Sequence, residues 1–332
     1  MVAKNASKKT AVHYVKVADE FGGQRLDNYL LRHLKGIPKS HIYRLIRKGE
    51  IRINKGRTHP FYRLMQGDLI RIPPVALAHR KKITAPKETL LQWLGSRILY
   101  EDQNLIVLNK PSGMSVHGGS TVDLGIIEAF RFLYPKNPHL ELAHRLDSET
   151  SGCLILAKKR KILKEIHAEL RQGNVKKIYW ALTKGQWPKP TMTVNLPLLK
   201  SYEDNLKHVV KVSSKGKAAQ TIFRTLKKFA QASFMEIELK TGRTHQIRVH
   251  AMHQHHPIGC DDRYGDREFN KLMKEHGLKR LFLHARSLDF TLPSLDQHIK
   301  VIAPLDQELE AVLQALEKNN LNLRVNHELR RK

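Results

Sequence analysis

His144-Arg145-Leu146-Asp147-Ser148-Glu149-Thr150-Ser151-Gly152 sets one carboxylate beside one guanidinium immediately ahead of the apolar run Cys153-Leu154-Ile155-Leu156-Ala157. That run is short, branched and opened by a glycine. This is the pattern of a buried strand, and it leaves Asp147 on the loop entering the strand. Loops held by rigid strands are where chemistry concentrates, so Asp147 is the leading candidate for a reacting group. Taken alone, the nine residues read equally well as an ordinary Arg145–Asp147 ion pair followed by a polar turn. More distant segments decide between the two.

The chain has 332 residues, enough for more than one domain and a substantial core. Its 59 Lys and Arg against 31 Asp and Glu give +28, which points to a polyanionic partner, nucleic acid first. A membrane surface is the rival. However, no apolar run approaches the roughly 18 residues of a spanning helix, and no basic segment is joined to a strongly apolar helical face. The first ten residues are polar and lysine-containing without an apolar stretch, so no secretory signal is expected, and residues 1–18 read as a loose basic arm. Cys153 and Cys260, the two cysteines, are far apart and form no Cys-x-x-Cys, which argues against a disulfide framework and a thiolate zinc site. A reducing cytoplasm fits best.

Positive charge is densest near the start: residues 1–95 hold 20 Lys and Arg against 6 Asp and Glu. Leu26, Tyr29, Leu30 and Leu34 repeat at helical spacing until Lys35-Gly36-Ile37-Pro38 ends the helix. Ser40 is then expected to cap a second helix that turns Ile42, Leu45 and Ile46 inward and leaves Lys39, Arg44, Arg47 and Lys48 outside, with Gly49 as a left-handed stop. Ile51-Arg52-Ile53-Asn54-Lys55-Gly56-Arg57 alternates apolar and basic residues through a tight turn, and Asp68-Leu69-Ile70-Arg71-Ile72 repeats the alternation. Two helices and a small sheet over residues 19–74 resemble the alpha-L RNA-binding module named for a small-subunit ribosomal protein. That resemblance implies that Lys39, Arg44, Arg47, Lys48, Arg52, Lys55 and Arg57 face RNA. Solvated faces normally mix signs, whereas residues 24–73 hold 12 Lys and Arg and only three acidic residues, so phosphate contact with strong salt dependence is expected.

Residues 75–93 read as a Lys-rich, Pro-containing linker, 94–320 as a second domain and 321–332 as a basic tail. Ile98-Leu99-Tyr100 and Leu105–Asn109 flank a turn and feed the loop Lys110-Pro111-Ser112-Gly113. Strands follow at Val175–Leu182, Phe234–Leu239 and Gln246–His250, with an amphipathic helix marked by Ile162, Ile166 and Leu170. Strand runs dominate without regular βα alternation, so the fold class is α+β with a mixed, largely antiparallel sheet. In the run from Gln246, alternation puts Ile247 and Val249 on one face and Gln246, Arg248 and His250 on the other, where a carboxylate is a fitting partner for Arg248.

His144-Arg145-Leu146-Asp147 followed by Thr150-Ser151-Gly152 resembles the signature of the RluA-type family of RNA pseudouridine synthases. The likeness extends in order to Asn109–Gly113, to Lys177-Ile178-Tyr179-Trp180-Ala181-Leu182 and to Gly242-Arg243-Thr244-His245-Gln246-Ile247-Arg248. It implies isomerisation of specific uridines, expected in bacterial 23S rRNA or the assembling large ribosomal subunit: the base is detached at N1, turned, and rejoined through C5. By resemblance Asp147 is the nucleophile, and its ionised state is favoured by a nearby guanidinium, which matches Arg248. Tyr179 matches the aromatic residue that packs on the uracil and takes part in proton movement at C5. Alternation along its strand turns it away from Ile178, Trp180 and Leu182. Arg145 matches the arginine that fills the space left by a flipped uridine. Arg243, Lys110 and the His117-Gly118-Gly119 turn are further candidate RNA-binding or supporting residues.

Other chemistries lack support. His250, His253, His255 and His256 fit no closed zinc spacing and Pro257 interrupts them, so no metal is expected. The His117-Gly118-Gly119 turn lacks a Gly-x-Ser-x-Gly elbow for acyl hydrolysis. No phosphate loop or dinucleotide fingerprint appears, so no nucleotide cofactor, and no cofactor at all, is expected. A cytoplasmic monomer is the expected form. The competing class is a non-catalytic rRNA-binding or ribosome-assembly protein retaining the fold. A hydrolase using Asp147 is the third.

Overall fold

Two fully buried strands, whose side chains alternate between two cores, organise the larger part of this protein, seen in a computed structural model that describes residues 11–34, 37–75, 85–118, 124–137, 139–203 and 207–329. Backbone proximity divides the chain into two units, 1–84 and 85–332.

In the first unit, β1 (His13–Lys16), α1 (Leu26–His33), α2 (Lys39–Arg47), β2 (Arg52–Ile53), β3 (Gly56–Arg57) and β4 (Leu69–Ile72) follow in order. The strands form an antiparallel sheet, β1-β4-β2-β3. Leu26 and Leu30 of α1, Ile42 and Ile46 of α2, and Ile70 and Ile72 of β4 are among the buried residues of one core. Asn54 and Lys55 take φ of 49° and 68°, both left-handed, as a two-residue hairpin turn requires. Asn54 fixes the register by donating to Asp68 at 2.8 Å and accepting from the Leu69 amide at 2.8 Å. Gly49 ends α2 with φ 72°. Two expectations need correction. The carbonyl of Pro38, not Ser40, closes the first turn of α2, accepting from the His41 and Ile42 amides. Residues 13–16 of the supposed loose arm are β1, tied by register to β4. Lys35 and Gly36 lie outside the described residues.

The second unit runs α3 (Glu88–Gly95), β5 (Ile98–Glu101), β6 (Leu105–Lys110), α4 (Ile126–Leu133), β7 (Glu141–Leu142), β8 (Ser151–Ala157), α5 (Arg160–Gln172), β9 (Lys176–Lys184), β10 (Thr191–Asn195), β11 (Leu198–Glu203), β12 (Lys207–Val212), β13 (Gln220–Lys228), β14 (Ala232–Leu239), α6 (Gln246–His253), α7 (Arg267–Glu275), β15 (Leu283–Leu292), β16 (Gln297–Ile302) and α8 (Gln307–Leu329). Its sheet has the order β10-β13-β14-β9-β15-β8-β6-β5, with β16 beside β15 and β7 beside β8. Along that path β15 and β8 are parallel and the other neighbours antiparallel. β11 and β12 form a separate hairpin.

Every residue of β6 and β8 is buried because the sheet is covered on both faces. Alternation then sorts their side chains. Ile106, Leu108, Leu154 and Leu156 join Phe130 of α4 in one core, while Leu105, Val107, Cys153 and Ile155 join Ile162 and Ile166 of α5 in the other. Gly152, at φ 105°, lets β8 start hard against β15: a Cβ there would stand 2.2 Å from the Ala285 carbonyl oxygen. This close approach fixes where the Asp147 loop leaves the sheet.

Three further expectations are overturned. Residues 88–95 of the supposed linker are α3. Leu94 of that helix is fully buried, Leu90 and Leu91 pack on the same core, and residues 76–84 lie outside the described residues. Residues 321–329 of the supposed tail continue α8. Most consequentially, Gln246–His250 is not a strand but the start of α6. All six residues from Gln246 to Ala251 are buried, so the segment is enclosed on every side and its apparent alternation does not mark two faces. No helix among the described residues is long and apolar enough to cross a membrane.

Candidate active site

The loop 147–149 is sewn to the loop after β6. The Ser148 carbonyl accepts from the Gly113 amide at 2.9 Å and from the Lys110 ammonium at 2.8 Å, and Ser112 donates to the Glu149 carbonyl at 2.7 Å. Leu146 is buried beneath. Asp147 keeps 22% of its side chain exposed and places Oδ2 3.3 Å from Nη1 of Arg248. Its ion-pair partner is therefore Arg248 of α6, 101 positions on, while Arg145, two positions before it, is exposed.

Arg248 has a second and stronger partner. Its Nε and Nη2 each donate at 2.7 Å to the two carboxylate oxygens of Asp261, a side chain with no exposure. Paired, parallel bonds of this kind suit a guanidinium and hold it rigidly. Burial pushes the Asp261 carboxyl up, but the bonds and charge of Arg248, with the amides of Tyr264 and Arg263, outweigh it and leave the group below the usual range. Burial likewise opposes the Arg248 charge, yet Asp261 and then Asp147 raise that group above its ordinary value. The Tyr264 ring faces the guanidinium at 5.1 Å.

Two cavities share this place. One of about 530 Å³ is lined by His117, Arg145, Asp147, His245, Arg248 and Arg263 among others. The other, about 120 Å³, adds Tyr179, Leu239, Ile247 and Leu283, an apolar recess beside the carboxylate. The larger volume is in the range of small-molecule pockets. Tyr179 is 8% exposed. Burial first, and the Asp147 charge next, raise its phenol above the ordinary value, so it stays protonated. A carboxylate held by a fixed cation, next to an apolar recess with one buried phenol, can take a planar polar ring and handle its protons.

Residues 104–253 match the family described as RNA pseudouridylate synthase. A relative named Ribosomal large subunit pseudouridine synthase C, from Yersinia pestis, is 48% identical over 309 residues, 93% of this chain and 97% of that one. The chain belongs to the RNA pseudouridylate synthase family. A second relative of the same name, from Vibrio vulnificus, is 47% identical over 310 residues, covering 93% and 98%. The solved structure of Human RNA Pseudouridylate Synthase Domain Containing 4 matches with TM-score 0.58 and 29% identity, over 69% of this chain and 96% of that one. Residues 24–70 match the S4 domain, in agreement with the RNA-binding module expected at the start.

The synthase fold brings together Asp147, Arg248, Tyr179 and Arg145, all lining the 120 Å³ recess. Arg243 lines it too, exposed, with Nε donating to the Ala218 carbonyl at 3.0 Å. Lys110 must be removed from the RNA-binding candidates. Its side chain is fully buried, and its ammonium donates to the carbonyls of Pro111, Met114 and Ser148 at 2.7, 2.8 and 2.8 Å, leaving no proton for a phosphate. Burial pulls its pKa down to about 7 against the opposing charges of Glu149 and Asp147. Lys39, Arg44, Arg47, Lys48, Arg52, Lys55 and Arg57 are all exposed in the first unit, on α2 and the β2–β3 hairpin. Gly118 donates to Glu128 at 2.8 Å, and Gly119 lies outside the described residues. His250 is a core residue bonded to Thr221 and to the Leu196 carbonyl, both at 2.9 Å.

Asp261 and Tyr264, which hold Arg248 here, were given no site role from the sequence. One signal was present. Asp261 follows the apolar stretch Ile258-Gly259-Cys260, where a carboxylate needs a cation, and Arg248 on its own needs a carboxylate.

Proposed function

We propose that this synthase isomerises specific uridines of the 23S rRNA in the large ribosomal subunit to pseudouridine, acting on a uridine flipped out of its stack. Asp147 attacks as the nucleophile, the bond from ribose C1′ to uracil N1 breaks, the base turns, and C1′ bonds to C5. The proton lost from C5 balances the one gained at N1. Tyr179 packs against the uracil and serves the C5 proton, and Arg145 occupies the space that the base vacates, offsetting the few kcal/mol of lost stacking and pairing. Arg243 and the cations of the S4 domain contact phosphates, which position RNA without reading its sequence.

The observation that carries this reading is the Asp147 carboxylate, 3.3 Å from Arg248, in a recess also lined by Tyr179, Leu239, Ile247 and Leu283. The two relatives named as acting on the ribosomal large subunit support the choice of RNA. The test is to incubate unmodified 23S rRNA with protein and map carbodiimide-resistant adducts. New adducts that vanish with Asp147→Asn are expected, and no adduct at any uridine rejects the reading. A free base or a cut strand would indicate hydrolysis instead.

A further inference from the structure

His245 stands at the entrance of α6 with φ 53°, a left-handed conformation that a residue with a side chain adopts at a cost. The kink aims its ring at the site: Nε2 lies 3.8 Å from Oδ2 of Asp147, and the residue lines both cavities. Its other nitrogen is held from behind. The backbone amide of Val210, on β12, donates to the Tyr264 hydroxyl oxygen at 3.0 Å, and that hydroxyl is 2.8 Å from Nδ1 of His245. Tyr264 is 5% exposed, so its own proton needs an acceptor inside the protein, and the Nδ1 lone pair is the one in place. A neutral ring accepting at Nδ1 carries its proton on Nε2, directed into the cavity beside the nucleophile. Burial keeps the ring below the ordinary imidazole range. Asp147 opposes that shift, and Arg248 and Arg263 add to it.

A separation of 3.8 Å is too long for a hydrogen bond to Asp147 itself, so the Nε2 proton is presented to whatever stands next to the carboxylate. When the C1′–N1 bond of a uridine breaks, both electrons go to the uracil, and the negative charge spreads from N1 onto O2. We propose that His245 is a further catalytic residue, whose Nε2 proton bonds uracil O2 and stabilises the charge that develops there, with Tyr264 as the positioning residue that fixes its tautomer. This rests on the uridine-isomerising reading above. A donor aimed at charge that appears only during the reaction acts on the rate rather than on binding.

The experiment uses the full-length protein and a 23S rRNA fragment carrying the target uridine, read by single-turnover pseudouridine formation. His245→Asn tolerates the left-handed backbone but is too short to reach, whereas His245→Gln places an amide N–H near the Nε2 position. His245→Asn should be about 100-fold slower with RNA affinity within about twofold, and His245→Gln should recover at least about tenfold of that loss. Tyr264→Phe, which keeps the ring against Arg248, should slow the rate with affinity equally unchanged. The deciding measurement substitutes 2-thiouridine at the target, since sulfur is a weak acceptor. It should slow the native protein but leave His245→Asn no slower than that variant is on uridine. Equal slowing of both, or Asn and Gln variants with the same rate, would overturn the role of His245. Failure of the native protein to convert ordinary uridine would instead overturn the uridine-isomerising reading itself.

Discussion

Asp261→Asn and Asp147→Asn change the same atoms at two ends of one guanidinium, and their consequences for stability should be opposite in size. Asp261 accepts two 2.7 Å bonds from Arg248 and further bonds from the amides of Arg263 and Tyr264 at 2.9 and 3.0 Å, with no exposure. An asparagine there has one acceptor oxygen for those donors and turns an N–H₂ toward other N–H groups, leaving the buried Arg248 charge without its main partner. Removing one member of a buried pair costs about 3–5 kcal/mol, or a fall in Tm of roughly 6–20 °C for a unit of this size. Asp147 is partly exposed and holds Arg248 by one 3.3 Å contact, and the guanidinium keeps Asp261 when it is gone. Its replacement should therefore stay within about 1 kcal/mol of the native protein while product formation disappears. Differential scanning calorimetry of both variants, with pseudouridine mapping on the same samples, decides it. Equal losses of stability, or a larger loss for Asp147→Asn, would refute the assignment of Asp261 as the anchor of Arg248.

Tyr179→Phe removes one hydroxyl from a buried residue that lines the recess. Product formation should fall by about 100-fold or more with RNA affinity little changed, and single-turnover kinetics beside filter binding would reveal a loss confined to affinity instead. Burial pulls His144 and His284 down to about 4. The unfolded chain therefore binds protons at these sites that the fold excludes. Their contribution is complete above the ordinary imidazole pKa and is lost as pH falls from there toward about 4, by up to about 1.4 kcal/mol per pH unit per histidine. Urea midpoints should fall over that window and less steeply in His284→Gln, and an unchanged slope in that variant would contradict the sign. Deleting residues 1–84 should weaken rRNA binding and flatten the slope of log affinity against log salt by roughly 0.9 for each phosphate that the protein no longer neutralises. Unchanged binding by the truncated protein counts against the module.

Much of the site was legible because it lies where local pattern and tertiary environment agree. The run Cys153–Ala157 lies within β8, and the Val175–Leu182 segment lies largely within β9, where Tyr179 and Ala181 share one core while Trp180 packs against another. Asp147, Arg248 and Tyr179 meet as the family resemblance implied. What was misread had a burial that the chain does not announce. Gln246–His250 is enclosed on all sides, so its alternation carried no information about faces, and the left-handed His245 that opens the helix is not marked by a glycine. Lys110 looks like a surface cation in the sequence. Only the fold shows three carbonyls converging on it. Leu90, Leu91 and Leu94 did carry the helical spacing of α3, but the lysines and prolines around them have the composition of a linker.

The placement of Arg248 between two carboxylates separates anchoring from reaction. A buried guanidinium held by Asp147 alone would resist any movement of that carboxylate toward a substrate, because each step away would leave a buried charge uncompensated. Here Asp261 takes the Nε and Nη2 edge at 2.7 Å, and Asp147 meets only Nη1, at 3.3 Å. The shorter, paired bonds satisfy the charge, and the longer one keeps Asp147 oriented without binding it tightly. On the proposed reading, Asp147 can then exchange its contact with Arg248 for a bond to a uridine at little cost, which is what an attacking carboxylate needs and a simple ion pair would deny it.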